Sequence, residues 1–140
     1  MIEIIKGDLA RDHRGQIRFV NDFDMSLVKR FYTIKNVNSS FVRGWRAHRI
    51  EHRWFYVISG AFELNIVKID NWETPSTDLL IEKILLKFDD QQVVHIPPGY
   101  GTAFRSLEKE SELLVFADRG IEFAEDDNYT WEHNHFVNYR

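Results

Sequence analysis

The run Trp54-Phe55-Tyr56-Val57-Ile58-Ser59-Gly60-Ala61-Phe62-Glu63-Leu64-Asn65-Ile66-Val67-Lys68-Ile69 decides the fold class. Aromatic and β-branched residues dominate it, and these suit a pleated, half-buried surface. Ser59-Gly60 marks a turn in its middle. Past that turn, apolar Phe62, Leu64 and Ile66 alternate with polar Glu63 and Asn65, the period-two signature of a strand with one buried face. Working outward, the same signals predict strands at Ile2–Ile5, Ile17–Val20, Leu27–Ile34, Trp45–His48, Leu80–Lys87, Val93–Ile96, Thr102–Ser106 and Glu112–Ala117. Turn residues separate them, among them His13-Arg14-Gly15, Asn71 to Ser76, Asp89-Asp90 and Pro97-Pro98-Gly99, where Gly99 is expected at positive φ. Short strands in this number, with no persuasive helix between them, predict an all-β sandwich or barrel. The stretch 122–140 is acidic and aromatic, and is expected to carry a short helix or to strap across the barrel.

With 140 residues the chain fits one domain, residues 1–140, and 44% hydrophobic content can build a core. There is no cysteine, so disulfides and thiolate metal sites are excluded. The opening Met1–Lys6 lacks a basic stretch leading into an apolar one, and no apolar run approaches a membrane span. A cytoplasmic protein without membrane or nucleic-acid partners is expected. Residues 1–53 hold 11 Lys/Arg against 6 Asp/Glu, a net of +5, within a chain of net charge −4. A local arginine concentration in an acidic protein suits a compact anionic ligand; solvated surface charge is the alternative.

The densest functional signal is Val42-Arg43-Gly44-Trp45-Arg46-Ala47-His48-Arg49, followed by His52 and Arg53. On a regular strand Arg46 and His48 share a face, and Gly44 lets the backbone bend or approach a ligand. Burying such groups costs several kcal/mol unless each finds a partner, so inward-facing copies imply an anionic or proton-exchanging ligand. Ordinary outward strand charge fits the same spacing. His95, between Val94 and Ile96, faces away from both of them.

The pattern Asp12-His13-Arg14-Gly15, Val28-Lys29-Arg30-Phe31-Tyr32, Arg43-Gly44-Trp45-Arg46-Ala47-His48-Arg49 and Ile96-Pro97-Pro98-Gly99 resembles the RmlC-like cupins. Within them it is most similar to the WxcM-like, dTDP-4-oxo-6-deoxyglucose 3,4-ketoisomerase family, over roughly residues 10–120. The resemblance implies a double-stranded β-helix (the cupin or jelly-roll barrel), assembled as a homodimer that binds a dTDP-sugar in the barrel mouth without metal or other cofactor. It implies His48 as base, Tyr32 as acid or relay, and Arg46 or Arg53 beside a developing enediolate. Arg14, Arg30, Arg43, Arg53 and His95 are the implied substrate-binding residues. The general cupin metal positions hold Arg46, His48, Arg53 and Thr102, a set with one neutral nitrogen ligand between cations. Where the ketoisomerases carry His-Ala-His, this chain has Arg46-Ala47-His48. An arginine stays protonated and is no general base. A sugar-nucleotide-binding cupin without catalysis is therefore the alternative. The apolar N-terminal strand is expected to cross to the partner subunit.

Overall fold

In a computed structural model of the chain, residues 1–139 are described; Arg140, the last residue of the expected strap, lies outside them. A five-stranded sheet has the order β1 (Glu3–Lys6), β9 (Gln92–Ile96), β6 (Arg53–Ser59), β11 (Glu112–Ala117), β4 (Arg30–Ile34). A six-stranded sheet faces it, in the order β12 (Tyr129–Trp131), β5 (Arg43–Ala47), β10 (Tyr100–Ser106), β7 (Ala61–Lys68), β8 (Leu80–Lys87), β13 (Asn138–Tyr139). A separate hairpin joins β2 (Asp8–Asp12) to β3 (Gly15–Phe19). All pairings are antiparallel except β13 against β8. Among the described residues no helix is long and apolar enough to cross a membrane.

Period-two patterning builds the core between the sheets. Phe55, Val57, Val94, Leu113 and Val115 from one sheet meet Phe62, Leu64, Ile66, Leu86 and Phe104 from the other. The Ser59-Gly60 turn requires glycine: Gly60 has φ +71°, and a Cβ there would meet Ser111 Oγ at 2.1 Å. Gly99 adopts φ +96° after Pro97-Pro98, as expected of that turn.

A second apolar cluster lies on the outer face of the six-stranded sheet. Trp45 and Ala47 of β5 join Val67, Ile69, Ile81 and Ala103 beneath Phe136, which is fully buried. The Trp45 and Phe136 rings meet edge-on at 4.9 Å, and Trp45 Nε1 donates to the His133 carbonyl at 3.1 Å. The C-terminal stretch is thus a strap, with two 3-10 turns (Ile121–Phe123 and Glu125–Asp127) leading into β12.

Two expectations about the strands change. The segment expected as Leu27–Ile34 begins pairing only at Arg30, because Val28 N turns back to the Met25 carbonyl at 3.1 Å. Strand β2 carries Asp8, Arg11 and Asp12 on an exposed hairpin, so no apolar alternation announces it. Within the one chain the N-terminal strand pairs with β9, Ile4 opposite Val94.

Candidate active site

The central strand of the site is β5, hydrogen-bonded to β12 on one side and β10 on the other. Arg46 stands opposite Thr102 of β10 and Thr130 of β12. Strict alternation would turn Arg43 outward with Trp45 and Ala47. Instead β5 carries one extra residue against β10, since Arg46 pairs with Thr102 but Arg43 pairs with Phe104. This bulge brings two arginines three residues apart onto one cavity. Gly44 sits in the bulge, where a Cβ would lie 3.3 Å from the Trp131 oxygen and 3.4 Å from His133 N.

The cavity between the sheets measures about 390 Å³ and is lined by Tyr32, Arg43, Arg46, Arg53, Thr102 and Trp131, with apolar Ile34, Phe55, Phe104 and Val115. That size and mixture suit a small organic ligand. No Asp or Glu lines it. Arg53 is 3% exposed, and burial pulls its pKa down against the opposing pull of the Tyr32 hydroxyl and Glu51 beside it. Its Nη2 donates to the Arg46 carbonyl at 3.4 Å, while Arg43 Nε donates to Asn36 Oδ1 at 3.2 Å. Among the described residues no carboxylate pairs with Arg43, Arg46 or Arg53 within 4.0 Å. The Thr102 hydroxyl is buried and has no hydrogen-bond partner.

Four of the sequence-predicted residues, Tyr32, Arg43, Arg46 and Arg53, therefore converge on one cavity, two from each sheet. Four others do not. Arg14 is at the tip of the exposed β2–β3 hairpin, its Nη2 2.6 Å from Asp12 Oδ2. Arg30 is drawn off the wall by the Arg119 carbonyl at 3.2 Å and Glu51 Oε1 at 3.4 Å, with its guanidinium 5.1 Å above the Tyr32 ring. His95 lies on the outer face of the five-stranded sheet, as its alternation with Val94 and Ile96 requires. There it stacks between His52 and Trp54, both at 5.1 Å, and its Nε2 meets His52 Nδ1 at 2.8 Å. His48 is not on the cavity wall either.

Strand β5 stops at Ala47, so the regular pleat that would align His48 with Arg46 ends one residue early. His48 is 7% exposed, its Nδ1 2.5 Å from the Asp127 carbonyl and its Nε2 3.5 Å from Glu51 Oε2. Burial chiefly, and then the Arg53 charge, lower its pKa to about 4; Arg46 is the weakest of the causes. The imidazole is neutral at neutral pH.

Asp127 and Glu51 escaped the sequence reading. Asp127 is 3% exposed and reaches back across the chain to accept from three successive backbone amides, Arg49 (2.7 Å), Ile50 (3.0 Å) and Glu51 (2.8 Å). Glu51 is buried at 4% exposure, and burial raises its carboxyl pKa. In one sequence both read as members of charged runs, and no local signal marks them. The positions that would match a cupin metal set hold Arg46, His48, Arg53 and Thr102, a donor set that does not fit a divalent ion. Among the described residues no three His, Asp or Glu side chains converge on a point.

Residues 1–140 match the family model described as "FdtA: WxcM-like, C-terminal". No curated protein matches the chain in sequence. Among solved structures, a mutant 3,4-ketoisomerase from Thermoanaerobacterium thermosaccharolyticum in complex with TDP-4-keto-6-deoxyglucose is 21% identical. That match has a TM-score of 0.70 and covers 91% of this chain and 85% of the other. A 3,4-ketoisomerase from Helicobacter canadensis is 20% identical, at TM-score 0.71 over 91% and 88% of the two chains. The dTDP-4-dehydrorhamnose 3,5-epimerase of Bacillus anthracis, with TDP and PPi bound, is 14% identical, at TM-score 0.73 over 91% and 76%. At these identities the likeness establishes the fold, the double-stranded β-helix.

Proposed function

Because the chain belongs to the WxcM-like, C-terminal family over residues 1–140, we propose that it is a nucleotide-sugar isomerase or epimerase acting on a dTDP-4-keto-6-deoxyhexose. The observation that carries this reading is the cavity itself: three guanidinium groups, no acid, and apolar walls in about 390 Å³. Such a site takes an organic anion. Structures with this fold hold TDP or a TDP-keto-sugar, which supports the choice of ligand.

In this reading Arg43, exposed at the start of β5, contacts the diphosphate, and the sugar lies against Arg46, Arg53 and Tyr32. Isomerisation breaks the C3–H bond beside the C4 ketone, and the electron pair forms an enediolate across C3 and C4. Arg46 and the buried Arg53 stabilise that negative charge as it develops. A proton is returned to C4 and the O3 proton passes to O4, which leaves a ketone at C3 and a hydroxyl at C4. Tyr32, the one acid–base side chain on the wall besides the arginines, carries the proton at the sugar. His48 is neutral and so is chemically able to serve as the base. It would reach the substrate only after the 48–51 loop opens, since Asp127 and Glu51 occupy its ring nitrogens.

The test is to incubate the protein with dTDP-4-keto-6-deoxyglucose in D₂O and read deuterium at C3 and C4 by NMR. Tyr32→Phe is expected to lower exchange by a factor of about 10²–10⁴, the usual contribution of a positioned acid or base. His48→Asn decides whether the imidazole takes part. Exchange that survives Tyr32→Phe unchanged sinks the assignment of Tyr32.

A binding module without turnover is the second reading, favoured by one observation: no histidine lines the cavity. Binding of dTDP with no exchange in any dTDP-4-keto-hexose would establish it. A cytoplasmic role in deoxysugar or surface-polysaccharide biosynthesis, as a homodimer, belongs to the same proposal. The dimer is supported by Phe31, 69% exposed and paired with Phe116 on the outer face of the five-stranded sheet. A monomer by light scattering at micromolar concentration would contradict it.

A further inference from the structure

Two buried carboxyl groups meet near His48, and their surroundings differ sharply. Asp127 receives three backbone N–H donors at 2.7–3.0 Å, enough to solvate a full negative charge inside the protein. Glu51 receives one, a long contact of 3.4 Å from Arg30 Nη2 to Oε1, and its Oε2 has no donor at all.

Hydrogen-bond accounting then fixes a proton. The Asp127 carbonyl can only accept, so His48 Nδ1 carries the hydrogen of that 2.5 Å contact. In a neutral imidazole Nε2 is left as an acceptor, and it faces Glu51 Oε2 at 3.5 Å. Two acceptors set face to face with no solvent are stable only with a proton between them.

We propose that Glu51 keeps its proton and shares it with His48 Nε2. Glu51 is thereby a positioning residue that leaves the Arg53 guanidinium uncompensated and turned to an anion in the cavity. The groups facing Glu51 are Arg30 from β4, Arg53 from β6, Asp118 after β11, and His48 and Asp127 around the loop. Were Glu51 ionised, its charge would be offset first by Arg30 at 3.4 Å and would in part cancel that of Arg53, the guanidinium deep in the cavity. Held uncharged, Glu51 leaves the cavity with the positive charge of Arg43, Arg46 and Arg53 together. The burial that raises the Glu51 pKa and lowers that of His48 pushes both partners toward this uncharged, proton-sharing state. The second half of the inference rests on the nucleotide-sugar reading of the cavity, and the first half does not.

Two measurements on the full chain test it. Infrared spectra and carboxyl-carbon NMR at pH 7 are expected to contain one protonated carboxyl that disappears in Glu51→Gln. Its absence from the wild type overturns the shared proton. Calorimetric titration with dTDP between pH 7 and 9.5, where the phosphates are already ionised, reads the consequence. Where the carboxyl signal is lost on raising the pH, wild-type affinity is expected to fall several-fold with it, as the charge on Glu51 offsets part of the positive charge of Arg53. In Glu51→Gln, whose amide donates permanently to Nε2, that fall is expected to vanish. The same pH slope in both proteins overturns the role assigned to Glu51. Wild-type protein that binds no dTDP sinks the nucleotide-sugar reading and with it the second half of the inference. The spectra still decide the proton by themselves. Should Glu51→Gln fail to fold, loss of the carboxyl signal in Glu51→Ala makes the same assignment, and its persistence there overturns it.

Discussion

Lowering the pH from 7 to 4 should destabilise the fold through His48 by an amount the structure fixes. An unfolded histidine takes up its proton near its ordinary pKa of 6.5, whereas in the folded chain His48 does so only at about 4. Between those values the unfolded state binds more protons, so stability falls as pH falls across that window and is fully retained above it. A displacement from 6.5 to about 4 corresponds to about 3 kcal/mol. Little of this is screened, because the ring is 7% exposed. Glu51 acts with the opposite sign: its raised carboxyl pKa makes stability fall as pH rises through 4.5 and beyond. The comparison is therefore made on a Glu51→Gln background. Urea unfolding at pH 7.5, 6, 5 and 4 is measured for chains carrying His48 or His48→Asn, whose amide still donates to the Asp127 carbonyl. The stability difference between the two should close or reverse by about 3 kcal/mol across the window. A difference that stays constant from pH 7.5 to 4 would refute the burial of a neutral imidazole.

Asp127→Ala strips three backbone amides of their common acceptor. Hydrogen bonds to a charged group contribute about 1.5–3 kcal/mol each, so a loss of about 3 kcal/mol or more is expected in urea unfolding. A loss under about 1 kcal/mol would mean that water replaces the carboxylate. Thr102→Val removes a buried hydroxyl that has no partner, and should stabilise the ligand-free protein by about 1 kcal/mol. An unchanged or lower melting temperature would reveal a partner for that hydroxyl. dTDP should raise the melting temperature more than thymidine does, and Arg43→Ala should erase most of the difference. Equal shifts with both ligands count against a diphosphate contact at Arg43.

Most of the sheets could be read from the chain because period-two alternation is written by the core they share. Phe62, Leu64 and Ile66 announce β7, and Val94 and Ile96 announce β9. What escaped has other causes. The β2–β3 hairpin buries little, so charge rather than apolar spacing fills it. Strands β12 and β13 are short, and Phe136 is buried by a surface formed far earlier in the chain. At the site, Arg46 and Arg53 were legible from their strands. Arg43 reaches the cavity through a bulge that no spacing rule reports. His48 was expected on the wall because a strand was drawn through it, but pairing ends at Ala47. Glu51 stands in the charged string Arg49-Ile50-Glu51-His52-Arg53, which reads as solvated surface. Its burial is imposed by Asp127, 76 residues away.

The edge position of β12 bears on how new specificities arise in such barrels. Thr130 and Trp131 supply part of the cavity wall from a three-residue strand with β5 as its only neighbour in the sheet. Of the two, Thr130 is exposed, whereas Trp131 also packs against the cluster of Trp45, Val67, Ala103 and Phe136. A lineage can therefore try out new sugar contacts at Thr130 while keeping its foldability, and an engineer retargeting the site has the same freedom. The inward face of β5 offers no such latitude, because Trp45 and Ala47 anchor the strap on the back of the same strand.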